Sequence, residues 1–342
     1  MKSGEKFSWQ NAESGTMLVG SDSWEARMHD KKQKTAPKKC VTATDDANEQ
    51  AANLTDWNQK YDQVGSGRFY GRIDELRLGD MQVYNEHSSQ TLHQQCMVRE
   101  DAFWFGIPSK RDGCRINGQA VEGNDILYRP GSRAFDLVTP DRFDMLGIVI
   151  AKHDLTSAAE QQGISVKSLD CSDVPRLQLP QKTLQQISYL LGRIINSKTG
   201  SIDSHIHYDL LMIALLEVLK REQPNDSVTP SYHHRKAVVE RIREHIERVS
   251  DLPLTMAELC EVGCVSRRTL QYSFESILGM SPSQFLRVSR LNRVKRLLSK
   301  DSTTSVSDAA AFNGFYHLSQ FAADYKQLFG ELPSQTLARH TG

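Results

Sequence analysis

The chain has no net charge: 42 Lys and Arg stand against 42 Asp and Glu in 342 residues. That balance excludes a uniformly basic protein, while leaving room for a basic segment offset by an acidic one. Long apolar runs are missing too. None approaches the ~20 residues that a membrane-spanning helix requires. Nor does the N-terminus hold the roughly 7–15-residue apolar core of a secretion signal, offering only short pieces such as Thr16 to Val19. The expected location is therefore the cytoplasm. Cysteine is sparse: six residues, Cys40, Cys96, Cys114, Cys171, Cys260 and Cys264, lie scattered along the chain, which argues against a disulfide scaffold. What is present, 39% hydrophobic and 25% charged residues, is the profile of a globular protein long enough for two domains.

The charge is unevenly placed. From Arg235 to the end there are 15 basic and 11 acidic residues, net +4, so residues 1–234 carry 27 and 31, net −4. Within 255–300 the count is 8 against 3, net +5, which is the first functional clue.

Four parts follow in order. Residues 1–50 are polar, contain the lysine run KKQKTAPKK, and read as a flexible tail. Residues 51–222 read as a regulatory, effector-binding and dimerisation domain. Its strands show in Leu76 and Leu78 before a Gly79-Asp80 turn, in Met81 and Val83 after it, and in the runs AFWFGIP, NDILYRPG and LGIVI. These suggest a small antiparallel barrel or sandwich. Then the period changes. QKTLQQISYLLGRIINS and HYDLLMIALLEVLKRE read as amphipathic helices, the second with Leu210, Ile213, Ala214 and Val218 on its apolar face. Gln223 to Tyr232 reads as a linker.

Residues 233–342 read as helices with legible punctuation. Val238, Ile242, Ile246 and Val249 form one face of the first. Thr255 and Glu258 suit a capping box for a short second helix ended by Gly263, and Ser266 caps a third carrying Leu270, Phe274 and Ile277. Ser281, Pro282 and Gln284 open a long fourth helix. Ser305 and Asp308 start a fifth, Gly314 turns, and Leu318, Phe321, Tyr325 and Leu328 face inward from a sixth. A short helix, a tight turn and a longer helix, occurring twice, make two helix-turn-helix units. A stiff spacer spanning ~27 Å lets such units reach successive major grooves, ~34 Å apart.

Here the sequence resembles a known family. VSRRTLQYSFESILGMSPSQFLRVSRLNRVKRLL, followed by DAAAFNGFYHLSQFAADYKQLFGELPS, is similar to the DNA-binding domain of AraC/XylS transcription regulators. The resemblance covers about 105 residues. It implies a bacterial regulator that binds double-stranded DNA and RNA polymerase, with a small cupin-like antiparallel barrel and a dimerising helical pair on its N-terminal side. The fold class is accordingly α+β. Further upstream, NQKYDQV, GRFYGRIDELRLGDMQVY, FWFGIP, RPG, LVTP and LGIVI resemble the subgroup of ethanolamine-operon activators. That subgroup implies ethanolamine and adenosylcobalamin as joint inducers of a homodimer. The corrin motif Asp-x-His-x-x-Gly is absent from the sequence.

Carried over by position, Arg268, Gln271 and Tyr272 of the first unit meet base edges and Arg267 meets phosphate. In the second unit His317, Ser319, Gln320 and Ala323 take the matching places, with Lys326 on phosphate. Ala323 stands where the family often has arginine, and Tyr316-His317 where it usually has a small cap residue. Tyr84, Trp104 and Arg129 are the effector-binding candidates. Of Phe103, Trp104 and Phe105, alternation points two inward and one out.

Other clusters read as structural. Cys260 and Cys264 lack two further ligands for zinc and read as small core thiols. Glu86, His87 and His93 do not fit a His-x-His pair with a following glutamate. No catalytic residue, resident cofactor or metal is expected. The leading reading is a metabolite-responsive activator. The alternatives are a regulator of other amine or amino-acid catabolism, one controlled by protein contact, and a cupin-like metalloenzyme fused to a DNA-binding domain.

Overall fold

Alternating apolar and polar residues build the N-terminal half, and the computed structural model describes residues 37–164, 175–198, 201–221, 223–224, 231–248, 254–300 and 304–341 of the chain. Thirteen strands among these residues form two antiparallel sheets. The larger runs β1 (Lys38–Thr44), β3 (Gly71–Leu78), β4 (Met81–Ser88), β11 (Phe143–Ala151), β6 (Ala102–Pro108), β9 (Asp125–Pro130), β12 (Arg176–Gln178) and β13 (Gln223–Pro224). The smaller runs β2 (Trp57–Gln63), β5 (Leu92–Val98), β10 (Phe135–Thr139), β7 (Arg115–Ile116) and β8 (Gln119–Ala120). No strand is shared, so of the barrel or sandwich that the strand pattern suggests, these residues form a sandwich of two sheets and not a closed barrel. The β3–β4 hairpin turns at Gly79-Asp80, with Leu78 opposite Met81 and Gly79 at φ +60°.

The ordered structure starts earlier than the sequence suggests. Residues 1–36 of the proposed tail lie outside the described residues, but Lys38 to Thr44 pair with β3 and α1 (Ala47–Asn53) follows. Lys39, from the lysine run, donates to Ile195 O at 2.6 Å and so caps the end of α3 (Gln181–Asn196). Likewise the proposed linker is not free at its ends. Gln223 and Pro224 pair with β12, and Tyr232 opens α5 (Tyr232–Arg248), while 225–230 lie outside the described residues.

Helices α2 (Lys152–Gln161), α3 and α4 (Ser204–Arg221) cover the outer face of the larger sheet. This explains why β6 is buried along its whole length: Trp104 faces the interior of the sandwich, while Phe103 and Phe105 pack on Tyr128 beneath the helices. The buried stripe of α4 is Tyr208, Leu211, Leu215 and Leu219. Leu210 and Ile213 of the apolar face read from the sequence are exposed and continue from Ile206 as a second apolar stripe, while Val218 of that face is buried. Because α4 is apolar on two sides, periodicity alone could not say which side faces the sheet.

The C-terminal helices are α5, α6 (Met256–Gly263), α7 (Arg267–Leu278), α8 (Pro282–Lys300), α9 (Val306–Phe312), α10 (Leu318–Phe329) and α11 (Pro333–Thr341). The Thr255–Glu258 capping box forms in both directions, and Ser266 and Ser305 accept from Thr269 N and Asp308 N. Gly263 is the last helical residue of α6, and Cys264 takes the left-handed cap conformation at φ 53°. Cys264 is therefore exposed rather than a core thiol. Two cores result. Leu270, Phe274 and Ile277 anchor the first with Val238 and Ile242 of α5; Phe321, Tyr325 and Leu328 anchor the second. Val249, expected on the face of α5, lies outside the described residues. Helix α8 gives Phe285 and Leu286 to one core and Leu291, Val294 and Leu298 to the other, so it joins both units physically.

Candidate nucleic-acid interface and effector chamber

Each helix-turn-helix unit buries one stripe of its second helix and leaves the opposite side open. On α7, Arg267, Arg268 and Tyr272 are exposed and Gln271 is half-buried, donating to Glu275 Oε1 at 2.6 Å. The Arg235 guanidinium lies 5.1 Å over the Tyr272 ring, which orients that ring on the surface. On α10, Ser319, Gln320, Ala323 and Lys326 are exposed, and Gln320 donates to Asp324 Oδ1 at 2.7 Å. His317 occupies the N-cap position without a side-chain cap hydrogen bond. The proposed base- and phosphate-contacting residues are thus exposed on their units, except Gln271, which is half-buried.

Two expectations change. Leu318 is 46% exposed, not inward, and with Phe312 and Tyr316 forms an apolar rim at the turn of the second unit. Phe321, at the end of the first turn of α10, is in the second core, while Leu318 at its start is not. Such a rim suits the methyl groups of thymine. The basic surplus of 255–300 is also only partly available to DNA. Arg287 pairs with Asp324, Arg290 lies over Phe315, and Arg293 donates to Ile246 O. Lys295 and Arg296 turn toward the N-terminal half, onto Asp46 at 2.9 Å and Asp62 at 2.7 Å. Counting charges cannot separate groove-facing cations from those that hold two domains together.

Inside the sandwich, Trp57, Tyr61, Tyr84, Glu86, Cys96 and Trp104 line a chamber of about 10 Å³, room for roughly one water molecule. Trp104 Nε1 donates to Tyr84 Oη at 2.8 Å. Gly106 and Gly147 face each other across β6 and β11, and a Cβ on either would strike the Trp104 or Tyr84 ring. These glycines therefore make room for the aromatic walls. Two of the three proposed effector residues meet here. Arg129 is buried opposite Trp104 on β9 but does not line the chamber.

Glu86 is the residue the sequence reading passed over, having been considered only as a metal ligand. It accepts from Tyr61 Oη at 3.0 Å and Gln50 Nε2 at 3.1 Å. Burial pushes its carboxyl up to about 7, against the lowering effect of those two hydrogen bonds. Its partners lie 25 and 36 residues away, and no local pattern signals them. His87 pairs instead with Asp144 at 3.1 Å and His93 with Asp136 at 3.3 Å. A carboxylate walled by aromatic rings can neutralise and stack on a small organic cation.

A family profile described as a helix-turn-helix domain matches residues 259–339. The chain is similar to an XylDLEGF operon transcriptional activator of Pseudomonas putida, 31% identical over 297 residues that cover 80% of this chain and 81% of that protein. It is also 35% identical over 96 residues to a probable thc operon regulatory protein of Rhodococcus erythropolis, covering 28% and 29% of the two chains. Among solved structures, a probable AraC family transcriptional regulator from Rhodopseudomonas palustris is 36% identical, with a TM-score of 0.29 and coverage of 31% of this chain and 98% of that one.

Proposed function

The chain belongs to the AraC/XylS family of transcription regulators, and from that premise we propose that it activates transcription in response to a small ammonium-bearing metabolite held at Glu86. It is a DNA-binding transcription regulator, not an enzyme by this reading, and it works in the cytoplasm on double-stranded DNA and RNA polymerase. Arg268, Gln271 and Tyr272 read bases from α7, and His317, Ser319 and Gln320 from α10; Arg267 and Lys326 hold phosphates. The spacer α8 has 19 residues and so spans about 28 Å, which suits two successive grooves.

The observation that carries the effector reading is the buried Glu86 carboxylate among aromatic rings. Ethanolamine is the specific candidate: its ammonium matches the carboxylate and its hydroxyl can pair with Tyr61 or Gln94, which also line the space. The chamber is closed around its own side chains, so a ligand of four heavy atoms enters only by displacing some of them. Adenosylcobalamin, the second inducer of the resembling subgroup, is far larger than this chamber and would occupy another surface. Two chains pair through the apolar stripe of α4, Ile206, Leu210 and Ile213, with Tyr189 of α3 beside it.

The test is a reporter driven by a cognate promoter, with ethanolamine, adenosylcobalamin, both, or neither. Ethanolamine should raise output, and Glu86→Gln should remove the response. A response to another amine or amino acid that also depends on Glu86 keeps the site and replaces the ligand. A response that ignores Glu86 overturns the site.

A further inference from the structure

Every hydrogen-bond donor to Glu86 sits on an element whose other side grips α8. Tyr61 is in β2, and the next residues leave the chamber. Asp62 accepts from Arg296 Nη1 at 2.7 Å. Gln63 exchanges two main-chain hydrogen bonds, both 3.0 Å, with the side chain of Asn292, which thereby acts as a strand neighbour. Gln63 Nε2 also donates to Leu328 O at 2.7 Å, at the end of α10. Gln50 is in α1. The N-cap of that helix, Asp46, holds Lys295 at 2.9 Å with both side chains 3% exposed, and Asn48 accepts from Arg296. Asn292, Lys295 and Arg296 are consecutive turns of the spacer between the two DNA-reading units.

We propose that Tyr61–Asp62–Gln63 and Gln50–Asp46 form two arms that carry the occupancy of the Glu86 chamber to α8, setting the angle between the two helix-turn-helix units. This rests on the chamber being the effector site. Strand alternation gives the coupling its physical form: moving Tyr61 inward or outward shifts the pleat that presents Asp62 on the opposite face and carries Gln63, on the same face as Tyr61, at the end of the strand. The closed chamber belongs with the gripped spacer, because there is no space at Glu86 while both arms are drawn in. A ligand that wedges the chamber open pulls on both arms and loosens the grip. It therefore shifts the population toward a second setting of the two units only through its preference for the open chamber. The rest of the interface supplies the frame against which α8 moves. Arg243 donates to Asp136 at 2.7 Å, and Tyr232 donates to Asn117 O at 2.6 Å, holding the first unit on the smaller sheet.

The experiment is a double-mutant cycle in the full chain, using Glu86→Gln and Arg296→Gln, with Tyr61→Phe and Asn292→Ser as milder second copies of each change. Two readouts are taken: affinity for an operator selected from random DNA, and hydrogen exchange of the α8 amides. No effector is needed. Glu86→Gln should raise exchange across 289–296 and change operator affinity by about tenfold, and neither change should add to that of Arg296→Gln. Additive effects, or exchange altered only within the two sheets, overturn the arms. In a third arm with ethanolamine as probe, the Arg296→Gln chain should bind it at least as tightly as wild type while losing its effect on DNA. If wild type binds no ethanolamine but the cycle is non-additive, the coupling stands and the ligand assignment fails.

Discussion

Arg268 and Lys326 are exposed on the second helices of their units, and the proposed function gives them different tasks. Arg268→Ala should weaken the selected operator by ~1–3 kcal/mol and relax preference at one base position, because a guanidinium fork on guanine discriminates. Lys326→Ala should weaken all sequences alike and lower the salt slope by about one unit. A gel-shift series over salt concentration and single-base variants separates the two; identical behaviour would remove the distinction. Glu86 makes a pH prediction. Its carboxyl stands at about 7 in the folded chain against 4.5 ordinarily, so between those values the folded state holds the extra proton. Stability contributed by this group therefore declines as pH rises through that window, by about 3 kcal/mol in all. Wild-type melts should fall relative to Glu86→Gln between pH 5 and pH 8, and parallel curves would contradict the burial argument. An ammonium ligand should bind more tightly at pH 8 than at pH 6, since it needs the ionised form. Arg267, Arg268, Tyr84 and Trp104 were legible as residue types on recognisable segments. Glu86 was visible but unreadable, because its meaning depends on Gln50 and Tyr61, which only the tertiary fold brings to it.

At the scale of elements, caps proved the most readable feature. Thr255, Ser266 and Ser305 all accept the amide hydrogen bond their spacing implies, since capping depends on residues within one turn. Thr255→Ala should cost about 1 kcal/mol, measured by denaturant unfolding, and Thr255→Ser should restore most of it. Strands β6 and β11 were also clear from their apolar runs. Facing is less readable. Helix α4 has two apolar stripes, and which one meets the sheet is decided by packing against β3 and α2 rather than by anything in its own sequence. The stripe left outside leads to a dimer test. Ile213→Glu should give a monomer by light scattering at micromolar concentration while leaving the melting temperature nearly unchanged, because Ile213 is 61% exposed. A wild-type monomer with DNA present would remove the dimer.

For the molecule as a whole, the sequence divided the chain into a sensing half and a reading half but implied a loose connection between them. The structure joins them tightly. A buried ion pair joins Asp46 to Lys295, and partly buried ones join Asp62 to Arg296 and Asp136 to Arg243. These partners are separated by 107 to 249 residues, so no window of sequence reveals them. Such pairs give geometric definition more than stability, since desolvation offsets much of their attraction. The basic residues of the C-terminal half are thus divided between the open sides of its two units and contacts with the N-terminal half.

The role proposed for α7 and α10 requires that one chain read two successive grooves. Hydroxyl-radical and methylation footprinting of the full chain on its selected operator measures this directly. Each half-site should show two protected major-groove faces about 10 base pairs apart, with Arg268→Ala erasing protection in one and the paired change of Ser319 and Gln320 to alanine erasing it in the other. Protection of a single groove, or loss of the same face with both variants, would contradict it.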